Sequence, residues 1–297
     1  MGDGDRRGHA GWARHGRRQA VAAVIAAVLA VSACGSAVPA APLPSRPSPA
    51  PAASQPAVSP RDSTPAAASG QREVPDTSAG LLAGKIIGID PGHNGGNFTD
   101  PAAISHQIWN GAGWEPCDTT GTATDGGYTE ARFNFNVARY LRADLRRNGA
   151  RVVMTRATDD GVGPCVDQRS EIINDAHADV AVDIHADGGP ASGRGFTILE
   201  PVADGPNDKV IAASARFGSD VQQALLAGTT MPESTYVGVD GIMQRDDLAG
   251  LNLTSVAKVL VECGNMRNAA DARLLVTAGY QQSVARALEQ AIIRVLG

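Results

Sequence analysis

Several features are missing from this 297-residue chain, and each absence closes a route. No apolar run reaches the roughly 20 residues that a membrane-spanning helix needs. Compact zinc motifs such as HExxH are absent, so a metal site would have to be assembled from segments far apart in sequence. No internal repeat is present. Aromatic residues make up only 4% of the chain, whereas glycine (34) and proline (18) are plentiful. The net charge of -5 gives no reason to expect nucleic acid or an anionic surface as the main partner.

That charge conceals a basic N-terminus, where Arg6, Arg7, Arg14, Arg17 and Arg18 cluster. They lead into an apolar stretch of about 15 residues ending at Cys34, too short to span and patterned as a signal h-region. Val31-Ser32-Ala33-Cys34 resembles a bacterial lipobox, in which the cysteine is lipidated and becomes the mature N-terminus. Plain secretion, with Cys34 discarded, and a retained anchor stay open beside it. The expectation is an exported protein of the cell envelope, either a membrane-anchored lipoprotein or one secreted to the periplasm or wall. Residues 35–80 are dominated by Pro, Ala and Ser and bury too little to order themselves, so they read as an extended tether. A single domain is expected over 81–297.

With Cys34 assigned to the signal region, Cys117, Cys165 and Cys263 remain, an odd set. Cys117 and Cys165 lie in polar segments, "GWEPCDTTG" and "GVGPCVDQR", and loop cysteines pair readily in an exported protein. A Cys117–Cys165 disulfide is expected, with Cys263 a buried free thiol inside "KVLVECGN".

From Leu81 onward strands alternate with helices. Ile86–Ile89 is a short apolar strand. In "TEARFNFNVARYLRADLRRNGA", Phe133, Val137, Leu141 and Leu145 recur at helical spacing until Asn148-Gly149 stops the pattern. "RVVMTRA", "ADVAVDIHAD", "GFTILEP" and "AKVLVECGN" read as strands; "DQRSEIINDA", "DKVIAASARFGSDVQQALLAG" and the C-terminal stretch read as helices. The alternation predicts a single α/β domain, a mostly parallel twisted sheet flanked by helices on both faces. Residues 98–127 fit neither period and read as a long polar excursion, functional or mobile.

His93, His185 and Glu262 stand at the ends of buried strands, where open α/β sheets bind ligands, and Glu130 opens a helix. Two imidazoles and a carboxylate would suit Zn²⁺. Each also has a bland reading: a lone strand-end histidine is usually a hydrogen-bonded structural residue, and Glu130 could merely complement the helix dipole. Glu262, among Val259, Leu260, Val261 and Cys263, is harder to dismiss, because a carboxylate there is costly unless paired or used.

Taken together, "IDPGHNGG", "TEARFNFNVARYL", "VAVDIHAD" and "VLVECGNMRNAADARLL" resemble the zinc-dependent N-acetylmuramoyl-L-alanine amidases of bacterial cell walls, over Leu81 to the C-terminus. The resemblance implies His93, Glu130 and His185 as zinc ligands and Glu262 as the catalytic residue. It implies hydrolysis of the amide between N-acetylmuramic acid and the L-alanine of the stem peptide, with peptidoglycan or muropeptides as substrate. "VVMTRATD" and "QRSEIIN" match as well, and Arg156 and Arg169 look structural. Asp183 stands where the family usually has Ser, and "ECGNMRN" replaces a Gly-Phe-x-Ser/Thr-Asn run, which puts the packing around Cys263 and Asn265 in question. Gly92, Gly95 and Gly96 are expected to leave room beside the metal for substrate. No segment reads as an autoinhibitory helix and no separate wall-binding repeat is visible; a monomer is expected. The rival readings are a zinc peptidase cutting within the stem peptide and a non-catalytic wall-binding module. A third hangs on "SVAK", Ser255 to Lys258, the SxxK of serine acyl-transferases, without the SDN or KTG that should follow it.

Overall fold

The computed structural model describes residues 80–297. The basic N-terminus, the apolar run with Cys34 and the Pro/Ala/Ser-rich segment lie outside the described residues. In chain order the strands are β1 (Ile86–Pro91), β2 (Gln107–Trp109), β3 (Trp114–Pro116), β4 (Arg151–Met154), β5 (Val180–Asp187), β6 (Thr197–Pro201), β7 (Ile242–Arg245) and β8 (Lys258–Asn265). The helices are α1 (Pro101–Ser105), α2 (Glu130–Arg147), α3 (Val166–Asp175), α4 (Ile211–Gly228), α5 (Ala249–Asn252), α6 (Ala269–Leu275) and α7 (Ala278–Leu296). Among the described residues no helix is long and apolar enough to cross a membrane.

Six strands form one sheet in the order β4-β1-β5-β8-β6-β7. All neighbours are parallel except β6 and β8. Side chains alternate along a strand, and that alternation sorts the sheet into two different faces. On one face β5 presents Val180, Val182, Ile184 and Ala186, and β8 presents Val259, Val261 and Cys263. These pack under α2, α4 and α7 through Phe133, Val137, Phe217, Val221, Val284 and Leu288, all fully buried. A side chain so buried contributes roughly 1.5–3 kcal/mol, so this face holds most of the core. The opposite face of β5 carries Ala181, Asp183 and His185, and that of β8 carries Leu260 and Glu262. It is covered only by the shorter α3 and α5, through Ile173 and Leu251. The expected helices on both faces are present, but unequally, and the chemistry lies on the thinly covered side.

Helix α2 begins where Thr129 caps it, its hydroxyl accepting from the Arg132 amide. It ends at Asn148, followed by Gly149 at φ +85°. Edge strand β7 has no strong pattern in the sequence: four residues, with only Ile242 and Met243 apolar. The expectation of a structureless excursion over 98–127 is corrected. This segment contains α1 and an antiparallel hairpin, β2–β3. Ile108, Cys117, Cys165 and Ala249 form a small core of their own beneath the hairpin. Asn110 Oδ1 accepts from the Ala112 and Gly113 amides in its turn, a local bond that hydrophobic periodicity does not reveal. The Cys117–Cys165 disulfide is formed, and Cys263 is buried and free.

The bridge closes 48 residues of chain, which corresponds to about 4 kcal/mol in the chain-entropy model. A Cys117→Ser/Cys165→Ser variant is expected to melt roughly 10 °C lower in a thermal scan. An unchanged melting temperature would show that the small core holds the segment without the bridge.

Candidate metal centre

β1 breaks at Pro91, and the break is clamped. Arg156 Nε donates to the Pro91 carbonyl at 2.8 Å, and its Nη2 donates to the Gly92 carbonyl at 3.3 Å and the Ala131 carbonyl at 2.8 Å. Arg169 donates to the Pro91 and His93 carbonyls, each at 2.8 Å. Asn134 Nδ2 adds a bond to the Gly92 carbonyl at 3.1 Å. His93 is thereby held at φ +56°, a conformation rare for side chains other than glycine and one that concentrates at functional sites.

The reading of Arg156 and Arg169 as structural is thus given a definite form. The glycines are used differently from the expectation. A Cβ on Gly92 would lie 2.1 Å from the His185 ring, so Gly92 admits that imidazole. A Cβ on Gly95 would meet the Asp159 carbonyl at 2.1 Å, and one on Gly96 the Gly161 carbonyl at 2.2 Å. Gly95 and Gly96 serve backbone packing and leave no space for a ligand.

His93, Glu130 and His185 converge. Glu130 Oε1 lies 2.8 Å from His185 Nδ1 and 3.3 Å from His93 Nε2. The other oxygen, Oε2, accepts from the Thr122 amide at 2.9 Å. One donor atom from each of the three residues lies within 4.8 Å of the others, a grouping able to hold a metal ion.

Behind each imidazole stands an aspartate. His93 Nδ1 is 3.0 Å from Asp118 Oδ1, and His185 Nε2 is 3.2 Å from Asp183 Oδ1. Each ring thus lies between two carboxylates, an aspartate on one side and Glu130 on the other. This is the outer support that metal-ligating histidines usually have. Asp118 Oδ2 accepts from Arg169 at 3.1 Å, and Lys258 Nζ lies 2.8 Å from Asp90 and 3.6 Å from Asp183.

Six buried or cavity-facing carboxylates (Asp90, Asp118, Glu130, Asp183, Asp187, Glu262) face three fixed cations, Arg169, Lys258 and Arg245. The surplus negative charge shows in the imidazoles. Burial opposes protonation of His93, but Glu130 and Asp118 outweigh it and raise its pKa to about 9. His185 is raised well above its ordinary value against the same burial penalty, by Asp183 and Glu130. A divalent cation would meet this demand for positive charge while leaving both rings neutral.

Glu262 pairs in register with His185 on the adjacent strand. Both line a cavity of about 350 Å³ with His93, Glu130, Asp187 and Arg245. Burial pushes the Glu262 carboxyl up to about 8; His185 opposes the shift, and Glu130 and Asp187 add to it. Its Oε2 has no hydrogen-bond partner, an orphan pointing to a group yet to bind.

Sequence reasoning found His93, Glu130, His185 and Glu262, and the structure places all four together. It missed Asp118, whose only local mark is its place after Cys117. It also missed the buried Asp90–Lys258 pair. That pair removes the acyl-transferase reading: the Lys258 ammonium is taken up by carboxylates, and Ser255 Oγ donates to Asn174 Oδ1 at 3.0 Å on the surface.

The chain matches the family model described as N-acetylmuramoyl-L-alanine amidase over residues 87–294. It is 39% identical over 218 residues to the N-acetylmuramoyl-L-alanine amidase Rv3717 of Mycobacterium tuberculosis, covering 71% of this chain and 86% of that protein. The crystal structure of the amidase Ami1 from Mycobacterium smegmatis superposes with a TM-score of 0.69 at 40% identity, over 73% of this chain and 98% of that one. The apo form of Ami1 from Mycobacterium abscessus gives 0.68 at 41% identity, over 73% of this chain and all of that one. A shared fold thus comes with sequence identity over most of the described residues, and the chain belongs to the N-acetylmuramoyl-L-alanine amidase family.

Proposed function

We propose that the protein is a zinc-dependent hydrolase of the amide between N-acetylmuramic acid and the L-alanine of the stem peptide. His93, Glu130 and His185 hold the metal and Glu262 is the general base. The observation that carries this reading is the unpartnered Glu262 oxygen in the cavity shared with the three ligands. Two nitrogens and one oxygen form a donor set suited to zinc, with a coordination position left open. When bound, zinc supplies Lewis acidity, polarising the amide carbonyl and acidifying water.

The chain's own residues do the rest. The raised pKa of Glu262 suits a group that must take a proton from the attacking water and then return it to the leaving amine of alanine. Asp118 and Asp183 stand against the outer nitrogens of the two imidazoles and hold the rings with their other nitrogens aimed inward. Leu199, Leu248 and Leu260 give the cavity an apolar wall that limits bulk water. A non-catalytic wall-binding module would have no use for such a base.

Outside the described residues, we read 1–34 as a lipoprotein-type signal with Cys34 as the lipidation point. Residues 35–80 are read as the tether that lets a monomeric catalytic domain reach the wall. Metabolic labelling with a fatty acid should mark the full chain and not a Cys34→Ala variant; an unlabelled full chain would favour plain secretion.

Glu262→Gln is expected to retain stoichiometric zinc and lose at least 1,000-fold in kcat, the combined weight of general base and general acid. His93→Ala is expected to lose the zinc itself. Metal analysis beside mass spectrometry of digested muropeptides reads both and identifies the bond cut. Products split within the stem peptide would favour the peptidase reading, and a Glu262→Gln variant as fast as wild type would remove Glu262 as base.

Asp118→Asn should weaken zinc binding by about 10- to 100-fold, measured by chelator competition on the folded protein. Equal zinc affinity in that variant would show that Asp118 does not position His93.

A further inference from the structure

The chain has three tryptophans, Trp12, Trp109 and Trp114. The two in the described domain both face solvent, Trp109 at 48% and Trp114 at 68% exposure. In a chain with so few aromatic residues this placement is costly, because indoles are among the side chains that gain most from burial. They sit directly opposite each other on β2 and β3, with ring centroids 5.6 Å apart and planes at 72°.

The other side of the hairpin is anchored. Ile108 packs with Cys117, Cys165 and Ala249; Glu115 Oε1 accepts from the Ala249 amide at 2.9 Å; Asn110 Nδ2 donates to the Asp247 carbonyl at 3.0 Å. The indoles therefore stand on a fixed platform. Glu115 and Pro116, next after Trp114, line a pocket of about 180 Å³ that shares His93, His185 and Leu260 with the cavity of Glu262, which puts the hairpin beside that cavity.

We infer that Trp109 and Trp114 form a sugar-stacking subsite for the glycan strand of the substrate. The inference rests on the amidase reading above. An amide that hangs from a muramic acid lactyl group brings its own pyranose ring, and the sugars linked to it, to the rim whenever the amide reaches Glu262. Pyranose rings present C–H faces that leave water on contact with an indole, while their hydroxyls stay hydrated at the edge. An exposed indole has the matching character, an apolar face with a polar N–H tip. The edge-to-face pairing stabilises the hairpin as well, so the test below separates that contribution from sugar binding.

The test uses the zinc-loaded full chain. A short chito-oligosaccharide is titrated while tryptophan emission is followed, with the Trp109→Ala/Trp114→Ala variant supplying the Trp12 background. A saturable blue shift is expected in the wild type and not in the variant. On polymeric peptidoglycan KM should rise about tenfold per indole removed, with a smaller change in kcat, and the loss should grow with glycan length. Trp109→Phe/Trp114→Phe should recover part of the binding, which separates stacking from hairpin collapse.

Wild-type emission unmoved by sugar would overturn the inference. So would equal losses at every glycan length, which mark a purely structural pair. A loss that follows dissociation of a dimer in light scattering would also overturn it, marking self-association. If the wild type releases no peptide from any muramyl substrate, the amidase reading fails instead, and the sugar titration remains readable by itself.

Discussion

The guanidinium of Arg169 is buried against the Asp90 and Asp118 carboxylates and the carbonyls of Pro91 and His93. An arginine in such a place has to satisfy its donors within the protein, and its planar fork fixes the angles between the groups it serves. Arg169 thereby ties together the end of β1, the backbone of His93, and the Asp118 carboxylate that lies against that histidine's ring. Asp90 is shared with Lys258 of the last strand, so the same network extends across the sheet. Burial penalises both Asp90 and Arg169 as ions, yet the surrounding charges prevail: Asp90 falls far below the usual carboxylate range and Arg169 rises. Loss of either member would leave an uncompensated buried charge, a cost of about 3–5 kcal/mol. The site is rigid because its geometry and the stability of the domain rest on the same contacts.

The sheet faces divide these duties. The face under α2, α4 and α7 is apolar throughout, whereas the other carries Asp90, Asp183, His185, Lys258 and Glu262 with only α3 and α5 above it. A one-residue register shift in β5 would send His185 into the hydrophobic core and Ile184 into the cleft. The alternation that builds the core therefore also aims His185 and Glu262 into the cavity.

Much of this was legible in the sequence because it is periodic or local. The helix of α2 was readable from Phe133, Val137 and Leu141, and its stop from Asn148-Gly149. Strand-end His93, His185 and Glu262 stood out as polar groups interrupting apolar runs. The hairpin was not legible: three-residue strands held by Asn110, Glu115 and a disulfide leave no period to detect. Asp118 was hidden for the same reason, since its function comes from contacts with Arg169 and His93, 51 and 25 residues away. The glycines misled in a different way. Gly95 and Gly96 are small because the backbone of Asp159–Gly161 passes against them, and sequence does not distinguish a backbone neighbour from a ligand.

The strand order makes one late segment join the whole domain. β8 is the last strand in the chain, yet it lies between β5 and β6 in the middle of the sheet. It supplies Lys258 to Asp90, joins β6 and β7 to the rest of the sheet, and brings Glu262 to the cavity. His93 and Glu262 are 169 residues apart in sequence, so the two sides of the cavity meet only through the pairing of β1 with β5 and of β5 with β8.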